Sequence, residues 1–113
     1  MVAVGDIVRY AQGWFEPGEE KYLFIVCELR LNPVTCNLSR ALIRALNTNF
    51  SAPFQPTEDV EDFMVSQTGV SVKALSSGDW GVICGDAIVN ASFRHISDAE
   101  QYAVTLIESQ KSD

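Results

Sequence analysis

Basic residues are scarce in this chain: 8 Lys and Arg stand against 15 Asp and Glu, a formal net charge of −7 over 113 residues. Such a balance is repelled by phosphate backbones and anionic lipid heads, which disfavours nucleic acid and membrane surfaces as partners. Histidine occurs once, at His95, and cysteine three times, at Cys27, Cys36 and Cys84, with no C-x-x-C pair. That leaves no zinc-type or thioredoxin-type spacing. The opening MVAVGDIVRY has neither a basic segment nor a long apolar one, so no secretory signal is expected. An odd thiol count without export points to reduced cysteines and a cytoplasmic setting. The longest strongly apolar run, Tyr22–Cys27, falls far short of the ~20 residues that span a bilayer. Walker, GxGxxG, GxSxG, HExxH and EF-hand patterns are all missing. These absences disfavour an enzyme and leave no cofactor and no metal site to assign.

What is present is ordinary globular material, 47% hydrophobic and 20% charged, enough for one domain or two very small ones. Two patterns meet at Gln67-Thr68-Gly69. Residues 1–66 hold all four prolines and a charge of 5 − 9 = −4, and residues 70–113 hold 3 − 6 = −3, so periodicity rather than charge divides them. In the first part, Gly5-Asp6 turns into an alternating strand through Tyr10, and a Gly/Pro/Glu loop follows, interrupted by Trp14-Phe15. Lys21–Leu31 is β-branched and aromatic, the clearest strand in the chain, and Asn32-Pro33-Val34-Thr35 is a turn. Ser39–Asn47 carries two patterns. Leu38, Ala41, Leu42, Ala45 and Leu46 fit a helical stripe, but the stretch is short and follows a hairpin-like turn, and we read it as a strand. Asn47-Thr48-Asn49 turns, Pro53 and Pro56 break any regular element, and Val60–Val65 reads as a last short strand.

In the second part Val70, Val72 and Ala74 alternate with polar residues. Trp80–Cys84 and Ala87–Phe93 flank Gly85-Asp86, a tight-hairpin dipeptide. Ser97-Asp98-Ala99-Glu100 has the form of a capping box, with Ser97 as N-cap and Glu100 reaching back to it. Behind it Ala99, Tyr102, Ala103, Leu106 and Ile107 make one apolar stripe. The expectation is an α+β chain. A small, strongly bent β-barrel occupies residues 1–66, and a three-stranded antiparallel sheet with one C-terminal helix occupies residues 70–113.

The run Val4-Gly5-Asp6-Ile7-Val8-Arg9-Tyr10, the Trp/Pro/Gly loop and the strand Lys21–Arg30 resemble small open β-barrels of the Src-homology-3 type. With the Leu-Asn-Pro-Val-Thr turn at Leu31–Thr35 and the Pro-Thr-Glu segment at Pro56–Glu58, this part is also similar to short uncharacterised proteins of phages and mobile elements. The resemblance spans roughly residues 4–65 and implies a fold, with no activity attached. Val70–Ile107 is similar in layout to the three-strand-plus-helix domain at the N-terminus of phage integrases, through Trp80-Gly81-Val82, Ser92-Phe93-Arg94 and the capped helix. That family reads DNA with basic residues on its sheet. Here Lys73 and Arg94 face Asp79 and Asp86 in number, so the layout alone carries over.

Candidate binding residues follow from chemistry. Trp14 and Phe15, large aromatics in a loop, serve either as a lid on the barrel core or as a recognition patch. Glu16, Glu19 and Glu20 form one acidic cluster, and Glu58 and Asp59, with Glu61 and Asp62, form a second. Each is either a solvated edge or a surface for a basic partner. Arg30, Arg40 and Arg44 are the one basic concentration. A nucleophile–base pair of His95 with Cys84 or Ser92 is conceivable but has no local signature. The reading is a non-enzymatic protein-interaction module acting through Trp14, Phe15, Glu16, Glu19, Glu20, Glu58 and Asp59. The alternative is an acidic inhibitor that fills a nucleic-acid-binding groove on a host protein. Exposed strand edges, expected at 70–74 and around 60–65, would permit a homodimer.

Overall fold

The computed structural model describes residues 2–47 and 57–110. The strands are β1 (Asp6–Tyr10), β2 (Phe24–Arg30), β3 (Arg40–Ala45), β4 (Thr57–Glu61), β5 (Val65–Ala74), β6 (Trp80–Cys84) and β7 (Ala87–Phe93). A single 3₁₀ turn, Asp62–Met64, joins β4 to β5, and the helix α1 (Ile96–Gln110) ends the described chain. All seven strands form one open antiparallel sheet, in the order β4-β3-β2-β1-β5-β6-β7. The class is therefore α+β.

The strands expected as a separate barrel run on, through the β1–β5 ladder, into those expected as a three-stranded sheet. Gln67-Thr68-Gly69, where the two patterns meet, lies inside β5. The register against β1 shifts there, Gly69 takes φ +90°, and the Thr68 hydroxyl donates to the Ile7 carbonyl at 2.8 Å. The turn chemistry of those three residues marks a bulge within a strand. Two expected edges move for the same reason. Residues 70–74 lie between β1 and β6, in the middle of the sheet, and residues 60–65 divide among the end of β4, the 3₁₀ turn and the start of β5. The edges are β4 and β7. Thr48, Asn49, Pro53 and Pro56 fall outside the described residues.

Residues 39–46 form a strand, as the turn before them suggests. Ala41, Ile43 and Ala45 are fully buried while Arg40, Leu42 and Arg44 point the other way, a period of two that a helix cannot produce. Ile7 and Val8, neighbours on β1, are both fully buried because each face of that strand meets a core. On the helix side, Ile7, Leu23, Ile25, Val70, Val72 and Val82 pack against Ala99, Ala103, Val104 and Ile107 of α1. On the other side, Val8, Phe24, Val26, Ala41, Ile43, Val60 and Val65 form a second core.

Chain connectivity shows how that second face is covered. In a flat sheet β4 and β5, four places apart, would be separated by about 19 Å. The chain steps from Glu61 to Val65 across Asp62–Met64, a reach of at most about 14 Å. The sheet must therefore coil until β4 approaches the start of β5, and the second core fills the inside of the coil. Backbone bonds from Asp62 to the Ser39 carbonyl (2.8 Å) and from Ala11 to the Met64 carbonyl (2.9 Å) fasten the joining turn.

The helix begins at Ile96, one residue before the expected N-cap Ser97, and the His95 carbonyl accepts from Asp98 and Ala99. Glu100 makes no capping box with Ser97. Its carboxylate is buried against Arg44 of β3 instead, a charge partner that local spacing cannot reveal.

Candidate functional site

The β1–β2 connection leaves the sheet at Ala11, whose N–H is held by Met64 and whose carbonyl accepts from Trp14 at 3.0 Å. These bonds set Trp14 over the 3₁₀ turn. Its ring meets Phe63 edge to face, with centroids 5.5 Å apart and planes at 62°. Both rings stay open to solvent, Trp14 at 49% and Phe63 at 58%. Aromatic side chains bury large apolar area when they can, so a paired, half-exposed couple stands out on this surface. Phe15, beside Trp14, is half-buried.

The loop acids act first on the loop itself. The Glu16 N–H donates to the Glu19 carboxylate at 2.8 Å and the Gly18 N–H to the Glu20 carboxylate at 2.8 Å, while Tyr22 donates to the Glu19 carbonyl at 3.0 Å. Carboxylates closing a turn on themselves restrict the loop that carries Trp14. Beyond Phe63 a cavity of about 350 Å³ opens, lined by Val2, Asp62, Phe63, Val65, Ser66 and Gln67.

The second acidic cluster does not join this surface as a unit. The Tyr10 hydroxyl donates to the Glu58 carboxylate, just ahead of the loop. Asp59, on the opposite face of β4, accepts from Arg30 Nη1 and Arg40 Nε, both at 3.0 Å. Arg40 also reaches Glu61 at 3.6 Å, and Arg30 reaches Glu28 at 3.5 Å. Burial alone would push the Asp59 carboxyl up, but the hydrogen bonds from Arg30 and Arg40 outweigh it and hold it below the usual carboxylate range. The Arg30 guanidinium is raised in turn, by its Asp59 hydrogen bond first and the Glu28 charge next. Acids and arginines therefore lace β2, β3 and β4 together across the strands.

The basic concentration is divided in the same way. Arg30 and Arg40 serve Asp59, and Arg44 serves Glu100. Cys84 ends β6, while His95 follows Phe93, which sits opposite Trp80 at the other end of that strand. Four residues of extended chain, about 13 Å, separate those ends, so this thiol and imidazole do not form a reacting pair. Among the described residues no three His, Cys, Asp or Glu side chains converge on a metal-sized site, and no helix is long and apolar enough to cross a membrane.

The structure thus brings Trp14 together with the Glu16–Glu20 loop, keeps Glu58 at its border, and sends Asp59 to a structural lattice. Phe63 was not anticipated. An aromatic in a run read as a short strand, Val60–Val65, looks like a core residue, and only the 3₁₀ turn exposes it. Comparison with protein-family models, curated proteins and solved structures finds no match to this chain.

Proposed function

We propose that this chain is a non-catalytic protein-interaction module whose contact surface is centred on Trp14 and Phe63. The observation that supports it most is the half-exposed pair itself, held by backbone bonds at Ala11 and Met64 and backed by a loop that its own glutamates restrict. Buried aromatic anchors set in ordered surroundings dominate most protein interfaces. Glu16 and Asp62 border the pair and suit a partner segment that carries a cation beside its apolar contact.

The fold reading extends the same way. The order β5-β1-β2-β3-β4, with a 3₁₀ turn joining the outer two strands, fits a small bent barrel of the Src-homology-3 type. A cytoplasmic module of the kind carried by phages and mobile elements accommodates three unpaired thiols and an acidic surface. In the competing reading, a groove-filling acidic inhibitor, charge would do the binding. The internal pairing of Glu58, Asp59 and Glu61 counts for the aromatic reading over that one.

The test is capture of partners from lysate by the tagged chain, beside a Trp14→Ala control, at low and high salt. A partner lost with Trp14→Ala yet retained in high salt supports an aromatic anchor. A partner indifferent to Trp14 and lost in high salt replaces it with the acidic inhibitor.

A further inference from the structure

The two edges of the sheet are unequal. β4 carries Glu58, Asp59 and Glu61, and charges of this kind discourage another strand from adding. β7, Ala87–Phe93, has neither charge nor proline along its length, and it exposes Ile88 at 58% and Val89 at 45%. An exposed apolar edge of seven residues is a template for strand addition.

Its flanks indicate which strand would add. Asp86 stands four positions before Asn90 and Arg94 four positions after it. Both are exposed, and neither enters an ion pair among the described residues. When β7 is laid antiparallel on a copy of itself about a two-fold axis through Asn90, Asp86 of each copy meets Arg94 of the other. Val89 then falls opposite Ala91, and Ile88 opposite Ser92. The strand is self-complementary in charge, with Val89 and Ala91 as its apolar centre, which suits a two-fold contact. β7 also shifts register against β6 on either side of Asn90, whose side-chain oxygen accepts from the Ser92 N–H and hydroxyl. Such bulges coil an edge away from flat partners. A two-fold mate carries the same coil and can follow it.

We propose that β7 is the pairing edge for a second copy of this chain, centred on Asn90, which joins two seven-stranded sheets into one. This dimer leaves Trp14, in the β1–β2 connection, and Phe63, in the β4–β5 turn, for another partner.

Sedimentation equilibrium of the full chain over a concentration series tests it, on wild type, Asp86→Arg, Arg94→Asp and the double charge swap, with circular dichroism as the folding control. Wild type is expected to dimerise. Each single reversal sets like charges opposite twice by symmetry and is expected to weaken the dimer roughly tenfold or more. The double swap is expected to restore it, and Val89→Lys to give a folded monomer. A wild type that stays monomeric, a dimer untouched by the single reversals, or a double swap that fails to restore association would each overturn the proposal.

Discussion

Arg44 on β3 and Glu100 on α1 meet through both guanidinium Nη atoms and both carboxylate oxygens, tying the N-terminal strands to the C-terminal helix. The Glu100 side chain is 8% exposed and that of Arg44 25%. Burial alone would lower the Arg44 pKa, but the Glu100 hydrogen bond and charge, assisted by Cys27, raise it. Removing the carboxylate strands a cation, so Glu100→Ala is expected to cost about 2–3 kcal/mol, short of a fully buried pair because Arg44 is partly wetted. Replacing both, as Arg44→Met with Glu100→Leu, is expected to cost less than Glu100→Ala alone. Urea unfolding measures both, and a Glu100→Ala loss under about 0.5 kcal/mol would show that the tie is incidental.

Gly5 precedes β1 with φ +92°. A Cβ there would lie 2.3 Å from the Val72 carbonyl oxygen. Its N–H donates to Val26 and its carbonyl accepts from Val72, both at 2.8 Å, so the backbone cannot step aside without breaking contacts to β2 and β5. Gly5→Ala is expected to cost roughly 3 kcal/mol or more. Gly18 has a similar φ, +94°, and open space around it, so Gly18→Ala is expected to carry only the backbone strain, about 1–2 kcal/mol. Equal losses in thermal or urea unfolding would contradict the close approach at Gly5.

Asp59 titrates below its usual range because Arg30 and Arg40 hold its charged form against the opposing effect of burial. A depressed folded-state pKa adds stability above the unfolded value, near 3.9 for aspartate, and loses it as pH falls through the folded one. The stability difference between wild type and Asp59→Asn is therefore expected to be present at neutral pH and to close below about pH 4. Added salt should shrink it at neutral pH as well, since these side chains are partly open to water. A difference that stays constant into acid would place its origin outside this carboxylate.

Where neighbours along the chain decide the outcome, the fold is legible in the sequence. The strand read over Lys21–Leu31 contains Phe24–Arg30, and Gly85-Asp86 makes the two-residue turn its chemistry announces. The stretch from Arg40 to Ala45 satisfies two periods at once, because Ala41 and Ala45 belong both to the helical stripe with Leu38, Leu42 and Leu46 and to the alternation through Ile43. Pairing with β2 and β4 on its two sides selects the strand. The misreadings lie where distant residues decide. Glu100 sits at capping-box spacing, yet Arg44 claims it. Phe63 sits in a run that resembles a strand, yet coiling of the sheet turns it outward in a 3₁₀ turn with no glycine or proline to signal it. Half of the aromatic pair, Trp14, was visible as a loop aromatic. Its partner was not, because their contact exists only once β4 returns to β5.

The most direct measurement is the affinity of a captured partner for wild type, Trp14→Ala, Phe63→Ala and the double variant, all confirmed folded. Two rings that act as one anchor are expected to give single losses of roughly tenfold or more, and a double loss well short of their product. Unchanged affinity in both single variants would contradict an aromatic contact surface and return the binding to the acidic residues around it.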